Sequence, residues 1–318
     1  MDLFFTESTH TYRDKEGNTY KSVSKLIERY EEKFDSEFWS KAKGIEKLIR
    51  SSEGGDDKWK YFFNLCKENY KDKAWEYIVK KYEEQFPEKV KEYQKIIKKE
   101  WKVKNDFSII RGNNIHNSIE RTINDSLGYS VVKRLDTYRV NTIKDITSTK
   151  VLYDANDLKV LKALRKDYNT IYKAFRKYIK EGYVIYSEIV TFSQRYKVSG
   201  TIDVPIINFA KKTFYIEDWK TNETDLHFIS GYYRKVDGIK TDQWINKDVR
   251  LSSPIDNLQN CKGIKYSLQL SIYALLTEEL TDFKCEGLHI NHIHDNKVDR
   301  IKVTYYKKEA LLMLKYNK

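Results

Sequence analysis

Cysteine, proline and glycine are all scarce in this 318-residue chain, at 3, 3 and 12 residues. Cys66, Cys261 and Cys285 are an odd number, far apart, with no Cys-x-x-Cys pair. That excludes a disulfide framework, a zinc ribbon and a four-cysteine iron–sulfur site. No apolar run approaches the roughly 20 residues that span a bilayer, and no membrane partner is expected. The N-terminus lacks a basic stretch followed by an apolar one, so no signal peptide is expected, and the reading is a soluble, cytoplasmic protein (host cytoplasm if viral). There is no Gly-rich phosphate loop to support nucleotide-driven motor activity.

What is present is charge and aromatic mass. Lys and Arg total 59 against 47 Asp and Glu, a net charge of +12. Residues 1–105 carry +3 of this and residues 106–318 carry +9. Forty per cent hydrophobic and 14% aromatic residues exclude disorder as the overall state. The surplus in the last two thirds points to a polyanionic partner, nucleic acid or an anionic surface.

Periodicity predicts a hairpin over residues 9–23, with Ser22 or Ser24 capping a helix through Leu26, Ile27 and Tyr30. Residues 36–104 are helical in composition, broken at 51–57, with Trp59, Phe62, Phe63, Trp75, Tyr82 and Phe86 as a local core. A helix face runs through Ile109, Ile110, Ile115, Ile119 and Ile123, ending near Gly128. Asp154 or Asn156 caps a long helix through Leu161, Leu164, Tyr168, Ile171, Phe175 and Ile179, stopped by Gly182. Three β-rich runs follow at 183–192, 196–208 and 213–221. After them come an apolar helix over 265–279, strands at 287–294 and 298–305 about a turn at Asp295-Asn296, and a short last helix. The expected fold is α/β, helices against a mixed central sheet, in a single domain over 1–318. Residues 28–105 read as a helical arm or insertion and 106–318 as the core, with 222–264 an insertion.

The chemistry concentrates in those strands. Ser199-Gly200-Thr201-Ile202-Asp203 precedes Glu217-Asp218-Trp219-Lys220. Residues two apart on a strand share a face, so Asp218 and Lys220 point together, and Asp203 can meet them across the hairpin. Two carboxylates and an amine suit metal-assisted phosphodiester hydrolysis: the acids hold a hard divalent ion, and the amine orients or stabilises the attacking water. An ordinary cross-strand salt bridge is the plain alternative. Glu188 lies amid apolar strand residues, where a carboxylate needs a cation or a hydrogen-bond partner. Gln269 and Tyr273 share a helix face at i,i+4, as do His116 and Glu120. Glu217 points away from Asp218. His289, His292 and His294 read as solvent-facing strand histidines. Tyr232, Tyr233, Arg234, Lys235, Trp244 and Lys247 mix cations with aromatics as a single-strand groove does, or make up a packed surface insertion.

Taken in order, His116, Glu188, Gly200–Asp203, Asp218–Lys220 and Gln269–Tyr273 resemble the signature of the PD-(D/E)XK nuclease superfamily. The RecB-like and phage exonuclease branch, which includes the mitochondrial genome maintenance exonuclease and CRISPR-associated RecB-like nucleases, is the part it is most similar to. The resemblance covers residues 112–273 and implies a restriction-endonuclease-like core. It implies metal binding by His116, Asp203, Asp218 and the Trp219 carbonyl, with Lys220 positioning the water and Glu188 completing a second metal site or holding Lys220. Gln269 and Tyr273 are implied as a DNA-facing support; Arg234, Lys235 and Trp244, in a stretch that departs from the family pattern, are read from composition as further DNA contacts. The implied cofactor is Mg²⁺ or Mn²⁺, one or two ions, without the iron–sulfur cluster of some members. The implied activity is a DNA exonuclease acting on ends or single strands in phage or bacterial replication, recombination or processing, with a recombination or replication protein as a partner. The competing expectation is a non-catalytic DNA-binding or packaging module on the same fold.

Overall fold

A computed structural model of the chain describes residues 2–126, 136–148, 164–166, 168–236, 239–294 and 297–317. The expected helix caps at Asp154 and Asn156, the helix end near Gly128 and the turn at Asp295-Asn296 lie outside the described residues. Two compact units make up the chain: residues 33–111, and residues 1–32 with 112–318.

The 33–111 unit is helical. Its elements are α2 (Ser36–Arg50), α3 (Gly55–Tyr70), α4 (Ala74–Gln85) and the part of α5 (Pro87–Ser126) that reaches Arg111. Asp35 caps α2 by accepting from the Phe38 amide at 2.8 Å, and Pro87 opens α5, where its missing N–H is harmless. Trp59 is buried and stacks on Phe63 at 5.3 Å, with Phe62, Trp75 and Tyr82 packed around it. Phe86, expected in that core, is 45% exposed, because it stands just past the end of α4. The α5 helix runs unbroken through the point near residue 105 where composition suggested a division, and Ile109 and Ile110 are exposed while Ile119 and Ile123 are buried.

The larger unit is mixed α/β. One sheet has the strand order β4-β1-β2-β3-β7-β6, from β1 (Leu3–Thr6), β2 (Thr11–Asp14), β3 (Thr19–Ser22), β4 (Thr137–Arg139), β6 (Ile189–Ser193) and β7 (Val198–Ile202). A second has the order β13-β12-β9-β8-β5, from β5 (Val184–Ile185), β8 (Val204–Asn208), β9 (Thr213–Lys220), β12 (Lys284–His294) and β13 (Lys297–Val303). Pairing is antiparallel except for β3 with β7 and β9 with β12. Parallel neighbours need a long crossover. Between β9 and β12 it holds the hairpin β10 (Gly231–Val236) and β11 (Ile239–Asn246), which composition did not reveal, and then the buried helix α8 (Lys262–Leu280). Helix α1 (Val23–Glu28) starts at Ser22, whose hydroxyl accepts from the Lys25 amide at 3.3 Å. Helices α6 (Ile143–Ser148), α7 (Asn169–Lys180) and α9 (Lys307–Lys315) also belong to this unit, and a 3₁₀ turn at Lys71–Lys73 lies in the other. No helix among the described residues is long and apolar enough to cross a membrane.

Strand β9 runs through the middle of the second sheet and serves two faces by simple alternation. Tyr215, Glu217 and Trp219 face α7, where Trp219 meets Phe175 and Tyr215 meets Tyr178. Asp218 and Lys220 face α8, where the Lys220 ammonium lies 4.6 Å from the centre of the Tyr266 ring. On the α7 face Glu217 is fully buried and takes a fork from Arg300 of β13, Nη2 to Oε1 at 2.6 Å and Nε to Oε1 at 3.1 Å. Asn291 donates to its other oxygen at 2.7 Å, and Arg300 also donates to the Tyr178 hydroxyl at 2.6 Å. Glu217 is therefore held on the face away from Asp218, as alternation predicts.

His289 sits beside this cluster, with Nδ1 3.9 Å from Glu217 Oε1. Burial, with Arg300 and Lys302 nearby, pushes its imidazole down to about 4 against the pull of Glu217. An unfolded histidine takes a proton near pH 6.5, so between about 4 and 6.5 the unfolded chain binds more protons than the native one. Stability is expected to fall as pH drops through that window, by up to about 3 kcal/mol from this group. Urea unfolding at pH 7 and pH 5 checks it: His289→Gln should shrink the difference between the two pH values, and an unchanged difference would remove His289 from the account.

Candidate metal and nucleic-acid site

Two neighbouring stretches of chain change sheet at the same level. The chain passes from β5 to β6 through Glu188, and from β7 to β8 through Asp203. The Glu188 amide donates to the Asp203 carbonyl at 3.0 Å. Glu188 has φ 54°, a left-handed conformation that costs a non-glycine residue roughly 1–2 kcal/mol. The continuous strands expected at 183–192 and 196–208 are thus each broken, and an acid stands at each break. Strain held at one position by its surroundings is a mark of functional sites.

His116 comes to this junction from α5, with Nδ1 3.6 Å from Asp203 Oδ2. One ligand atom from each of His116, Glu188 and Asp203 lies within 4.8 Å of the others. The same Asp203 oxygen accepts from the Trp219 amide at 2.9 Å, which ties the junction to β9. Next on β9, Asp218 is 1% exposed, and its Oδ2 lies 2.5 Å from Lys220 Nζ. That contact pairs the charges but lacks hydrogen-bond direction, and Asp218 Oδ2 has no directed donor. Burial, reinforced by the charge of Asp203 and opposed by Lys220, pushes the Asp218 carboxyl up to about 6. Burial alone would pull Lys220 down, but Asp218 and Asp203 outweigh it and the ammonium is held above its ordinary value.

These residues fit a hard divalent cation. A buried carboxylate oxygen that meets only the Lys220 ammonium, without a directed hydrogen bond, and a His/Glu/Asp group beside it are oxygen-rich surroundings that such an ion would join. The gathered set differs from the implied one in emphasis: Glu188 joins His116 and Asp203 directly, Asp218 is engaged by Lys220, and Trp219 contributes an amide to Asp203.

Gln269 and Tyr273 serve the junction from α8. Gln269 Nε2 donates to the Tyr273 hydroxyl at 2.9 Å. Tyr273 is only 4% exposed, and burial raises its phenol well above the ordinary value, so it remains protonated. Tyr273 thus stands behind the junction as a packed support. A Cβ at Gly200 would lie 2.5 Å from Tyr273 Cε1, so the glycine three residues before Asp203 lets β7 pass the ring. Gly200→Ala is expected to destabilise the protein by about 1–3 kcal/mol through overpacking. Adding Tyr273→Leu should recover part of that loss in thermal unfolding, and strictly additive losses would refute the contact.

Arg234 and Lys235 are exposed on β10, and Arg234 donates to Gln243 at 3.1 Å. Trp244 on β11 is half-buried, with one ring face covered by His227 at 3.6 Å and Tyr233 edge-on at 5.0 Å. That leaves Trp244 less open to stack a base than its composition suggested. The solvent-facing reading of the strand histidines is also corrected, since His289 and His292 are 7% and 1% exposed. Both lie on β12, an interior strand paired with β9 and β13.

No family model and no curated protein matches this chain. Among solved structures, a crystal structure of SSO0001 is similar over 63% of this chain and 84% of that one, at 12% identity and a TM-score of 0.24, too low to carry an argument.

Proposed function

We propose that the chain is a metal-dependent DNA nuclease with a restriction-endonuclease-like core, an exonuclease acting on DNA ends or single strands. One observation carries this reading: a buried Asp218–Lys220 pair adjoins a His116, Glu188 and Asp203 group at a strained junction of two sheets. A salt bridge alone does not account for a histidine and two further acids gathered beside it, a donor set that a hard divalent cation would join.

His116, Glu188 and Asp203 would hold Mg²⁺ or Mn²⁺, with Asp218 and the Trp219 carbonyl completing the set. A divalent ion held there would offset charge on the scissile phosphate and acidify a water. Lys220, kept as an ammonium, donates rather than accepts, so its part is to orient the attacking water and stabilise developing negative charge. Gly200 and Tyr273 fix the strand that carries Asp203, with Gln269 at the edge of the site. Arg234 and Lys235, with the +9 carried by residues 106–318, offer cations to a phosphate backbone.

The test is incubation of 5′- and 3′-end-labelled single-stranded and duplex DNA with Mg²⁺ or Mn²⁺, with chelator as the control. Ladders that require the ion and start from one end are expected. Intact DNA under every condition would reject the nuclease reading in favour of a binding module.

A further inference from the structure

Strands β12 and β13 carry a second group of ligand-bearing side chains, apart from the acids at the sheet junction. His292 and His294 share one face of β12, and the register sets Asp299 of β13 opposite His292. The two imidazoles stack at 4.4 Å, and one ligand atom from each of His292, His294 and Asp299 lies within 4.8 Å of the others. His292 is buried, His294 half-buried, and Asp299 exposed at the rim.

The hydrogen bonds define the state of the rings. His292 Nε2 lies 2.9 Å from the Asn222 backbone oxygen, which can only accept, so Nε2 carries the proton and Nδ1 keeps its lone pair. His294 Nε2 lies 2.8 Å from Asp299 Oδ2. Donation to a carbonyl fixes His292 in the tautomer whose Nδ1 can bind a metal, while the adjacent His294 Nε2 and Asp299 Oδ2 are donor atoms that one ion could join in place of a shared proton. A further carboxylate, Asp225, lies close enough for its charge to be felt by both rings, and it accepts from the Tyr233 hydroxyl at 2.7 Å.

We propose that His292, His294 and Asp299 form a binding site for a transition-metal ion of the Zn²⁺ class, distinct from the acid cluster at the sheet junction. Two imidazoles and one carboxylate suit Zn²⁺, which prefers nitrogen, over Mg²⁺ or Ca²⁺, which prefer an all-oxygen shell. The site stands whether or not the chain cuts DNA, yet it reaches the candidate catalytic lysine. Asn222, which anchors His292, also accepts from the Tyr266 hydroxyl at 2.9 Å, and the Tyr266 ring lies against the Lys220 ammonium. An ion at the histidine pair would fix that path.

The test is calorimetric titration of the chelator-treated full chain with Zn²⁺ in millimolar Mg²⁺, together with the visible absorption of Co²⁺ as the probe metal. One equivalent of Zn²⁺ is expected, with a rise in the thermal midpoint on binding. Asp299→Asn and His294→Gln alter the rim and so keep the fold. Each should weaken Zn²⁺ binding at least tenfold, the scale on which altered ligand shells act, while Glu188→Gln leaves it in place. Absence of Zn²⁺ uptake by the wild type, or unchanged uptake by both rim variants, would overturn the proposal.

Discussion

Lys220→Ala and Asp218→Ala are each expected to lower DNA hydrolysis by about 10³-fold or more while DNA binding stays measurable. Removing a preorganised charge-stabilising or proton-handling group from a water-poor site typically lowers turnover by 10²–10⁴-fold. Both side chains are buried against each other, so no solvent molecule substitutes readily for either. Their removal is asymmetric. Without Lys220, Asp218 loses the charge that opposes its burial beside Asp203, and its carboxyl is expected to move further upward. Without Asp218, the ammonium keeps only Asp203 as a counter-charge. In neither case do the basic residues elsewhere in the unit change, so phosphate affinity and its salt dependence persist. Single-turnover cleavage and filter binding, measured on the same folded preparations, check both halves. Full activity in either variant would remove the pair from the mechanism, and loss of binding alone would make it a structural element.

The second large effect is on stability. Glu217→Ala is expected to cost about 3–5 kcal/mol, the penalty for leaving a buried charge without its partner. Arg300 would lose both arms of its fork, and Asn291 its acceptor, all in one packed layer between β9, β12, β13 and α7. Replacing both ends of the pair by apolar residues of similar volume removes the stranded charge, so Glu217→Met with Arg300→Leu should recover much of the loss. Urea unfolding of the two single variants and the double variant measures the coupling. If Glu217→Ala unfolds within about 1 kcal/mol of wild type, the buried fork has been misread.

The spacing of Asp218 and Lys220 made their shared face legible, because alternation on a strand is rigid, and it equally placed Glu217 on the other side. The apolar helix over 265–279 was legible from its length of apolar residues, and the Gly182 stop of α7 from a residue able to take φ 83°. What failed to show in sequence was tertiary. Val204-Pro205-Ile206 continues the β-rich composition of Val198–Ile202, so nothing local marks Asp203 as the point where the chain changes sheets. Glu188 in a left-handed conformation has no sequence sign at all, since the usual mark, a glycine, is missing. The hairpin of β10 and β11 is largely solvent-facing on both sides, which removes the alternation that reveals strands. His292 looked like a surface residue because burial was inferred from its polarity. In the fold its strand is interior, and a backbone oxygen of Asn222, 70 residues earlier in the chain, meets its ring. The packing of the Tyr273 ring on Gly200 was likewise hidden, since it is a contact between distant stretches of chain.

His116, Glu188, Asp203 and Asp218 are proposed to gather a divalent ion for phosphodiester hydrolysis. The most direct measurement is the initial rate of cleavage of an end-labelled single-stranded DNA against Mn²⁺ concentration, for wild type and for Asp203→Asn. A saturable, ion-dependent rate is expected for the wild type. For Asp203→Asn the expected curve is shifted to much higher Mn²⁺ or flattened to background, with the melting midpoint in the absence of metal little changed. Identical curves for the two proteins, or cleavage that persists in excess chelator, would contradict the proposed site.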